Sequence, residues 1–334
     1  MTSTERPTGV SLRPRPALRS MAGRYGLVVL LALVFVAFAS LWDYPATFRS
    51  TENLQQVLRS QAIPAILALA IILPLVCGQF DLTVGSVAGI SAITVAGAIA
   101  DHHKSLAFAV VVALGIGLAI GLVNGLLIAY VGVNSLIATL GVGIAVSGLV
   151  EWYADGRSIL IDTASGLART GSGSWFGVPS LVYFVAGFAL VFYYGLQHTP
   201  LGRHLHSIGS NATAAHLVGV DVRRLTLLAF VMSALTSAVA GVLYLGSIGS
   251  ASASGGGIPL TLPALVAAFL GATTIKPGRF NVLGTLVAVY LLAFALSGLS
   301  LNGVESWVQN VVTGTGLVMA VTLSTLTARE RRPG

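Results

Sequence analysis

Residues 105–150 form a long uncharged stretch, which contains no Asp, Glu, Lys or Arg in 46 positions. Soluble proteins carry about one charged residue in four, so a stretch of this length has no ordinary place in a soluble fold. A bilayer core about 30 Å thick is crossed by about 20 apolar residues in a helix. Residues 105–150 are therefore long enough for two transmembrane helices, and they predict a polytopic membrane protein.

The rest of the chain repeats this pattern. Hydrophobic residues make up 55% of the sequence and charged residues only 9%. We predict an all-α fold of about ten transmembrane helices, near residues 24–42, 62–78, 82–100, 105–130, 133–152, 178–197, 222–247, 260–275, 281–300 and 306–326. The first is interpreted as a span rather than a signal peptide, because no small-residue cleavage site is evident and many spans follow. The second and eighth are short and carry Pro64, Pro74 and Pro263, so we expect kinked or incomplete crossings there.

The basic residues predict the orientation of the chain. With both termini inside, 13 of the 18 Lys and Arg residues fall on cytoplasmic segments, as the positive-inside rule requires. We predict a disordered cytoplasmic tail at 1–23, a transmembrane domain at 24–327 and a basic cytoplasmic tail at 328–334, in a plasma membrane. The net charge of +7 fits contact with membrane lipid. The basic residues are scattered over separate short loops, which argues against nucleic acid as a partner.

Few polar side chains lie within the predicted spans. Gly117, Gly121 and Gly125 are spaced by four residues, which predicts a helix face that packs closely against another helix. Asp81 is the one acidic residue deep enough in the sequence to matter. It is either the N-cap of the third span, which we favour, or a substrate or proton site. The single cysteine, Cys77, is expected to pack in the interior, and no Cys or His pattern has metal-ligand spacing.

The energy source is predicted from what the sequence lacks. It contains no G-x-x-x-x-G-K-[ST] phosphate-binding loop, and no evident intramembrane charge relay for coupling to an ion gradient. A separate ATPase is therefore expected to bind the longest cytoplasmic loop, at about residues 198–224. Within it, residues 212–218 predict a short helix with Asn211 as N-cap and Gly219 at its end. Spacing alone leaves open a solvated loop whose arginines only set topology.

Four motifs in this chain carry a family resemblance. They are GQFDLTVGSVAGISA (78–92), GLVNGLLIAYVGVNSLIATLG (121–141), TPLGRHLHSIGSNATAAHLVGV (199–220) and GRFNVLGTLVAVYLL (278–292). In this order they resemble the permease subunits of bacterial ATP-binding-cassette importers of the ribose, xylose and autoinducer-2 type. The resemblance runs from about residue 55 to residue 325.

The resemblance implies a role for the third motif as the helix that couples the permease to its ATPase. The matching or aligned positions are Gly202, Arg203, Gly209, Asn211, Thr213, Ala214, Ala215 and Gly219. Thr213 stands where many relatives carry an acidic residue, so the strength of the docking contact is expected to differ. Structural or pathway candidates are Asp81, Gly85, Asn124 and Thr139, with interhelical hydrogen bonding as the alternative role for Asn124, Thr139 and Asn302.

The implied assembly has two permease chains, identical or different, a cassette ATPase and an extracytoplasmic solute-binding protein. The permease itself is not expected to be an enzyme or to bind a cofactor, because ATP and Mg²⁺ are used by the ATPase. The expected function is import of a monosaccharide or similar small polar solute by alternating access. The alternatives are an ion-gradient-driven secondary carrier, a permease for branched-chain amino acids or nucleosides, and a membrane scaffold that transports nothing.

Overall fold

The computed structural model describes residues 17–40, 44–162 and 166–305, and then residues 307, 308, 311, 312, 314–316, 318, 319 and 322. The described residues are mostly helical, which confirms the predicted all-α fold. The helices are α1 (Ala17–Ser40), α2 (Pro45–Arg49), α3 (Thr51–Ser60), α4 (Ala62–Val76), α5 (Val84–Ala100), α6 (Leu106–Leu126), α7 (Ser135–Ala154), α8 (Gly166–Ser172), α9 (Ser180–His198), α10 (Pro200–Ser210), α11 (Ala212–Leu217), α12 (Val222–Ile248), α13 (Ile258–Gly271) and α14 (Val282–Leu301). A π-helical turn, Leu127–Val131, extends α6, and a 3₁₀ turn, Ala253–Gly255, precedes α13.

Seven helices among the described residues are long and apolar enough to cross a membrane. They comprise α3 joined to α4, α6, α7, α9, α12, α13 with its 3₁₀ turn, and α14. The apolar part of α1, Tyr25–Ser40, and α5 are shorter. Together these helices account for every predicted span except the tenth, 306–326, most of which lies outside the described residues. Residues 1–16 and 328–334 of the predicted tails also lie outside, whereas residues 17–23 belong to α1.

The two proline-containing spans differ from each other. α4 follows α3 after the single residue Gln61, so Thr51–Val76 forms a helical stretch of 26 residues that is long and apolar enough to cross. This stretch is longer than the predicted span 62–78, because the polar helix α3 precedes its apolar part. The helical part of the eighth span, α13, has only 14 residues. The helix is interrupted before α13 at Gly257, which has a φ of 76°, although α13 with its 3₁₀ turn is still long and apolar enough to cross. The incomplete crossing at this span stays a prediction.

The predicted glycine face packs at the centre of the bundle. α12 contacts α4, α5, α6 and α8, and its most extensive contact is with α6. A Cβ added to Gly117 would lie 2.7 Å from the Cβ of Ala238, and one added to Gly121 would lie 2.9 Å from the Cβ of Ala234. Larger side chains at these two glycines would therefore separate α6 from α12, as the spacing of the glycines predicts.

The two ends of the bundle are built differently. At one end, which we call the α10 end, Gly78 contacts Gly209 of α10, and Lys276 hydrogen-bonds Gln197. At the opposite end, Asp101 and Arg157 form an ion pair of 3.1 Å. There β1 (Ile159–Leu160) pairs antiparallel with β4 (Ser250–Ala251), and β2 (Ser174–Trp175) pairs with β3 (Val178–Pro179). We call this second end the β end.

Candidate functional site

The predicted coupling segment folds as two helices, α10 and α11. Thr199 caps α10, because its hydroxyl accepts a hydrogen bond of 3.4 Å from the backbone N–H of Gly202. Asn211 caps α11, with its Oδ1 3.0 Å from the backbone nitrogen of Ala214, as predicted. Gly219 follows α11 with φ of 85°, a left-handed conformation that glycine adopts at little cost. The sequence did not predict α10 as a separate helix.

Two glycines hold α10 against the ends of two membrane helices. A Cβ on Gly202 would overlap the backbone of Leu196 near the end of α9. A Cβ on Gly209 would lie 3.0 Å from the carbonyl carbon of Val76, the last residue of α4, and closer still to its oxygen. Both glycines are therefore places where backbones meet directly, with no side chain between them. α10 is consequently in rigid contact with α9 and α4.

The surface of α11 divides into an inner and an outer side. Ala215 is buried against the bundle, whereas Asn211, Thr213 and Ala214 are exposed. Leu217 and Val218 at its end are 81% and 79% exposed. Sequence reasoning grouped Ala214 with Ala215 and did not identify these two large apolar residues. The signal was available, since two apolar residues stand directly before the glycine that ends the helix.

Asp81 lies in a buried polar network near the α10 end. Its carboxylate accepts hydrogen bonds from the backbone N–H of Thr83 at 3.0 Å, from the hydroxyl of Thr83, and from the hydroxyl of Ser233 at 2.8 Å. Asn124 extends the network by donating to the hydroxyl of Thr83 at 3.0 Å. The network thus joins the segment before α5 to α6 and α12. Asp81 is only 1% exposed.

The predicted N-cap role of Asp81 is wrong. α5 begins at Val84, so the cap position belongs to Thr83, whose side chain makes no capping bond. The Asp81 carboxylate instead closes a local turn with Thr83 and reaches across to α12. The hydroxyl of Thr139 donates to the carbonyl of Ser135 one turn earlier on α7 at 2.8 Å.

A cleft of about 450 Å³ opens between α5, α7 and the segment before α13. Its polar side chains include Ser86, Ser147, Ser254 and Glu151, and the hydroxyls of Ser86 and Ser147 are 3.2 Å apart. Irregular backbone at membrane depth is tolerated where it is buried in protein or lines a cavity, and broken helices are common at solute sites of transporters. None of Asp81, Asn124 and Thr139 lines this cleft.

Gly85 of α5 and Thr261 of α13 fix the start of α13 beside the cleft. The hydroxyl of Thr261 accepts from the N–H of Gly85 at 3.1 Å and donates to the carbonyl of Gly257 at 3.0 Å. A Cβ on Gly85 would lie 3.0 Å from the carbonyl carbon of Gly257 and closer to its oxygen. Gly85 is therefore a close-packing residue at the edge of the cleft.

Comparison with known proteins gives the family. Residues 53–321 match the family described as Branched-chain amino acid transport system / permease component. The chain belongs to this family. Its members are transport subunits, so the prediction of a membrane permease whose ATP is hydrolysed by a separate chain is confirmed. The predicted multi-pass membrane location is confirmed as well.

Several curated permeases are similar to this permease over most of their length. The ribose import permease protein RbsC of Escherichia coli K12 is 30% identical over 296 residues, which are 88% of this chain and 91% of that protein. The L-arabinose transport system permease protein AraH of the same strain is 31% identical over 314 residues, 92% of each chain. RbsC of Bacillus subtilis 168 is 32% identical over 300 residues, 89% of this chain and 90% of that protein.

The walls of the cleft show what sequence reasoning missed in this permease. Ser147 and Glu151 are one turn apart on α7, and Ser254 lies in the segment before α13. Glu151 is the first charged residue after the uncharged stretch 105–150, and this position could have marked it as a candidate site residue. No spacing in the sequence indicates that α7 and the segment before α13 meet. The convergence is a property of the fold.

Proposed function

We propose that the permease imports a monosaccharide or a similar small polar solute. Support comes from relatives that cover most of the chain and whose names give ribose and L-arabinose as their solutes. The family description names branched-chain amino acids instead, so amino acids are the second candidate class. The serine hydroxyls in the cleft favour a solute with many hydroxyl groups, since such groups exchange hydrogen bonds with water for hydrogen bonds with serine.

The ATPase is proposed to bind at α11 and the neighbouring face of α10, and to use ATP and Mg²⁺ that the permease itself does not hold. Permeases of this family work with an ATPase and a solute-binding protein. The observation that carries the assignment is the direct backbone contact of Gly202 with α9 and of Gly209 with α4. A force on α11 therefore reaches two membrane helices without passing through a flexible side chain. The exposed Leu217 and Val218 give the partner an apolar surface to bury.

The same contacts lead toward the cleft. α4 passes directly into residues 77–83, which carry Asp81 and lead into α5, and α5 forms one wall of the cleft. The carboxylate of Asp81 also binds Ser233 on α12. A displacement of α10 would therefore move the start of α5 relative to α13, where Gly85 and Thr261 meet. We propose that this movement opens and closes the cleft in alternating access.

A second permease chain, identical or different, is proposed to complete the pathway. The cleft wall on α7 includes Leu140 and Ile144, which are 37% and 62% exposed in the single chain. A second chain packed against these exposed residues would cover the open side of the cleft and separate it from lipid. The solute-binding protein is proposed to bind at the β end, opposite α10.

The proposal is tested by reconstituting the permease with its ATPase and binding protein in proteoliposomes. Radiolabelled ribose, L-arabinose, leucine and adenosine would be offered separately, with and without ATP. We expect ATP-dependent uptake of one of the pentoses. ATP-dependent uptake of leucine or adenosine alone would replace the sugar with the second class of solute. Uptake that follows an imposed ion gradient without the ATPase would refute the coupling mechanism.

A further inference from the structure

A basic pocket lies beside α10, separate from the cleft. It has a volume of about 290 Å³ and is formed by the end of α9, one face of α10, and the residues that connect α13 to α14. Arg203, His206, Lys276 and Arg279 all line it, and no acidic side chain does. Three permanent cations therefore share one small concave surface.

These cations are not neutralised within the part of the chain that the structure describes. The ion pairs found there are Asp101 with Arg157 and Asp221 with Arg224, so Arg203, Lys276 and Arg279 have no carboxylate within 4.0 Å. Lys276 donates to the neutral amide oxygen of Gln197. Like charges gathered in one pocket repel each other, and an anion bound among them would remove this cost.

The loop that carries two of the cations is held in a defined shape. The Asn281 amide donates to the carbonyl oxygens of Gly271, Thr274 and Arg279 at 3.2, 3.1 and 3.1 Å. Its Oδ1 caps α14. Ile275, directly before Lys276, has a φ of 59°, which a β-branched residue rarely adopts. The surrounding structure therefore fixes this loop, and backbone conformations of this kind concentrate at functional sites.

We propose that this pocket binds the phosphate group of an anionic phospholipid headgroup. Arg and Lys are the side chains that bind phosphate, and basic pockets between membrane helices are suited to lipid headgroups. The pocket lies at the level where α9 ends at His198 and α14 begins at Val282, and we infer from these two helix ends that it faces the boundary between membrane and water. This site stands on geometry and charge, and it does not depend on which solute the permease carries.

The apolar surroundings favour a lipid over a free anion. Leu196, Phe280 and Val282 line the pocket together with the cations. On α9, the face of Gln197 continues away from the pocket through Tyr194 and Leu190, which are 62% and 69% exposed. An acyl chain can lie along this exposed face while its phosphate stays in the pocket. A free phosphate ion would use only the charged part of the pocket.

His206 provides an internal reporter of an anion in the pocket. Burial lowers the pKa of its imidazole, and the nearby Arg279 and Lys276 lower it further, although a hydrogen bond with the carbonyl of Gly202 opposes this. An anion bound beside the ring would offset the two cations. Binding is therefore expected to raise the pKa of His206.

The first test counts bound lipids on the full-length permease in detergent by native mass spectrometry. Phosphatidylglycerol would be titrated against the wild type, R203Q/R279Q and the control R223Q, which removes an exposed cation outside the pocket. Each basic residue near anionic lipid contributes about fivefold in affinity, so we expect the double variant to bind one lipid about 25-fold more weakly. R223Q should bind like the wild type, and zwitterionic phosphatidylcholine should show no difference between the three proteins.

The second test is read on the wild-type protein, and a variant serves only to assign the histidine signal. The pKa of His206 would be measured by NMR with labelled histidine in nanodiscs, with H206Q to assign the signal. A higher pKa in phosphatidylglycerol than in phosphatidylcholine is expected. An equal rise with inorganic phosphate in phosphatidylcholine would show a simple phosphate site and overturn the lipid assignment. Unchanged lipid binding in R203Q/R279Q combined with weaker ATPase binding would assign the pocket to the ATPase instead.

Discussion

Replacement of Gly209 by alanine is predicted to separate ATP hydrolysis from transport. The added Cβ would lie 3.0 Å from the carbonyl carbon of Val76 and 3.3 Å from that of Cys77, and closer still to the Val76 oxygen. Real Cβ atoms are not found below 3.0 Å from another heavy atom, and ordinary contact begins at 3.4 Å, so α10 has to move away from α4. Overpacking of this kind costs about 1–3 kcal/mol.

This cost falls on the contact that is proposed to transmit movement from the ATPase. A free energy of about 1–3 kcal/mol applied to one of two conformations changes their ratio about 5- to 150-fold. We therefore expect solute uptake per ATP hydrolysed to fall at least about fivefold. The assay measures uptake and phosphate release together in proteoliposomes.

Gly195→Ala is the matched control for this change. Gly195 lies near the end of α9, and a Cβ added there would meet open space. An alanine in a helix is also slightly more favourable than a glycine, so this variant should be as stable as the wild type and equally well coupled. If Gly209→Ala kept the uptake per ATP of Gly195→Ala, α10 would not act through α4, and the proposed route of coupling would be refuted.

Three further predictions concern packing, buried polarity and pH. Gly121→Ala is expected to lower the unfolding free energy in detergent by about 1–3 kcal/mol. Gly115→Ala on the same helix should not lower it, because a Cβ at Gly115 meets open space. Equal melting temperatures for the two variants would contradict the packing account. Ser233→Ala removes the hydroxyl that donates to one carboxylate oxygen of Asp81, and it should lower the unfolding free energy by about 1–3 kcal/mol in the same assay. An unchanged unfolding free energy would mean that this hydrogen bond contributes nothing to stability. The pKa of the His206 imidazole is lower in the folded protein than in the unfolded chain. Its contribution to the unfolding free energy is therefore complete above the unfolded pKa of about 6.5 and is lost as the pH falls. His206→Gln should weaken this dependence of the unfolding free energy on pH, and an identical pH profile would exclude the contribution.

The sequence predicted the membrane fold well because its signals are local. Residues 105–150 have to form two membrane helices whatever their neighbours are, and they do so as α6 and α7. The spacing of Gly117, Gly121 and Gly125 likewise predicts a packing face from one helix alone. The cap of α11 by Asn211 was predicted for the same reason, since an N-cap bond joins residues three positions apart.

Properties that depend on distant residues could not be predicted in this way. Asp81 was expected to cap α5, whereas its second carboxylate oxygen binds Ser233, 152 residues later. The cleft brings Ser147 of α7 close to Ser86 of α5, and the basic pocket brings Arg203 close to Lys276. Each of these pairs is created by the packing of helices that are far apart in sequence. No periodicity or motif within one helix indicates them.

The central claim is that the ATPase binds at α10 and α11, and site-specific cross-linking tests it most directly. The natural Cys77 is only 3% exposed, so a cysteine introduced at a surface position is the reactive one. Leu217→Cys at α11 would be compared with Phe176→Cys, a fully exposed position at the β end. We predict that Leu217→Cys cross-links to the ATPase in assembled complexes and that Phe176→Cys does not. Cross-linking through Phe176→Cys but not through Leu217→Cys would place the ATPase at the opposite end and contradict the account.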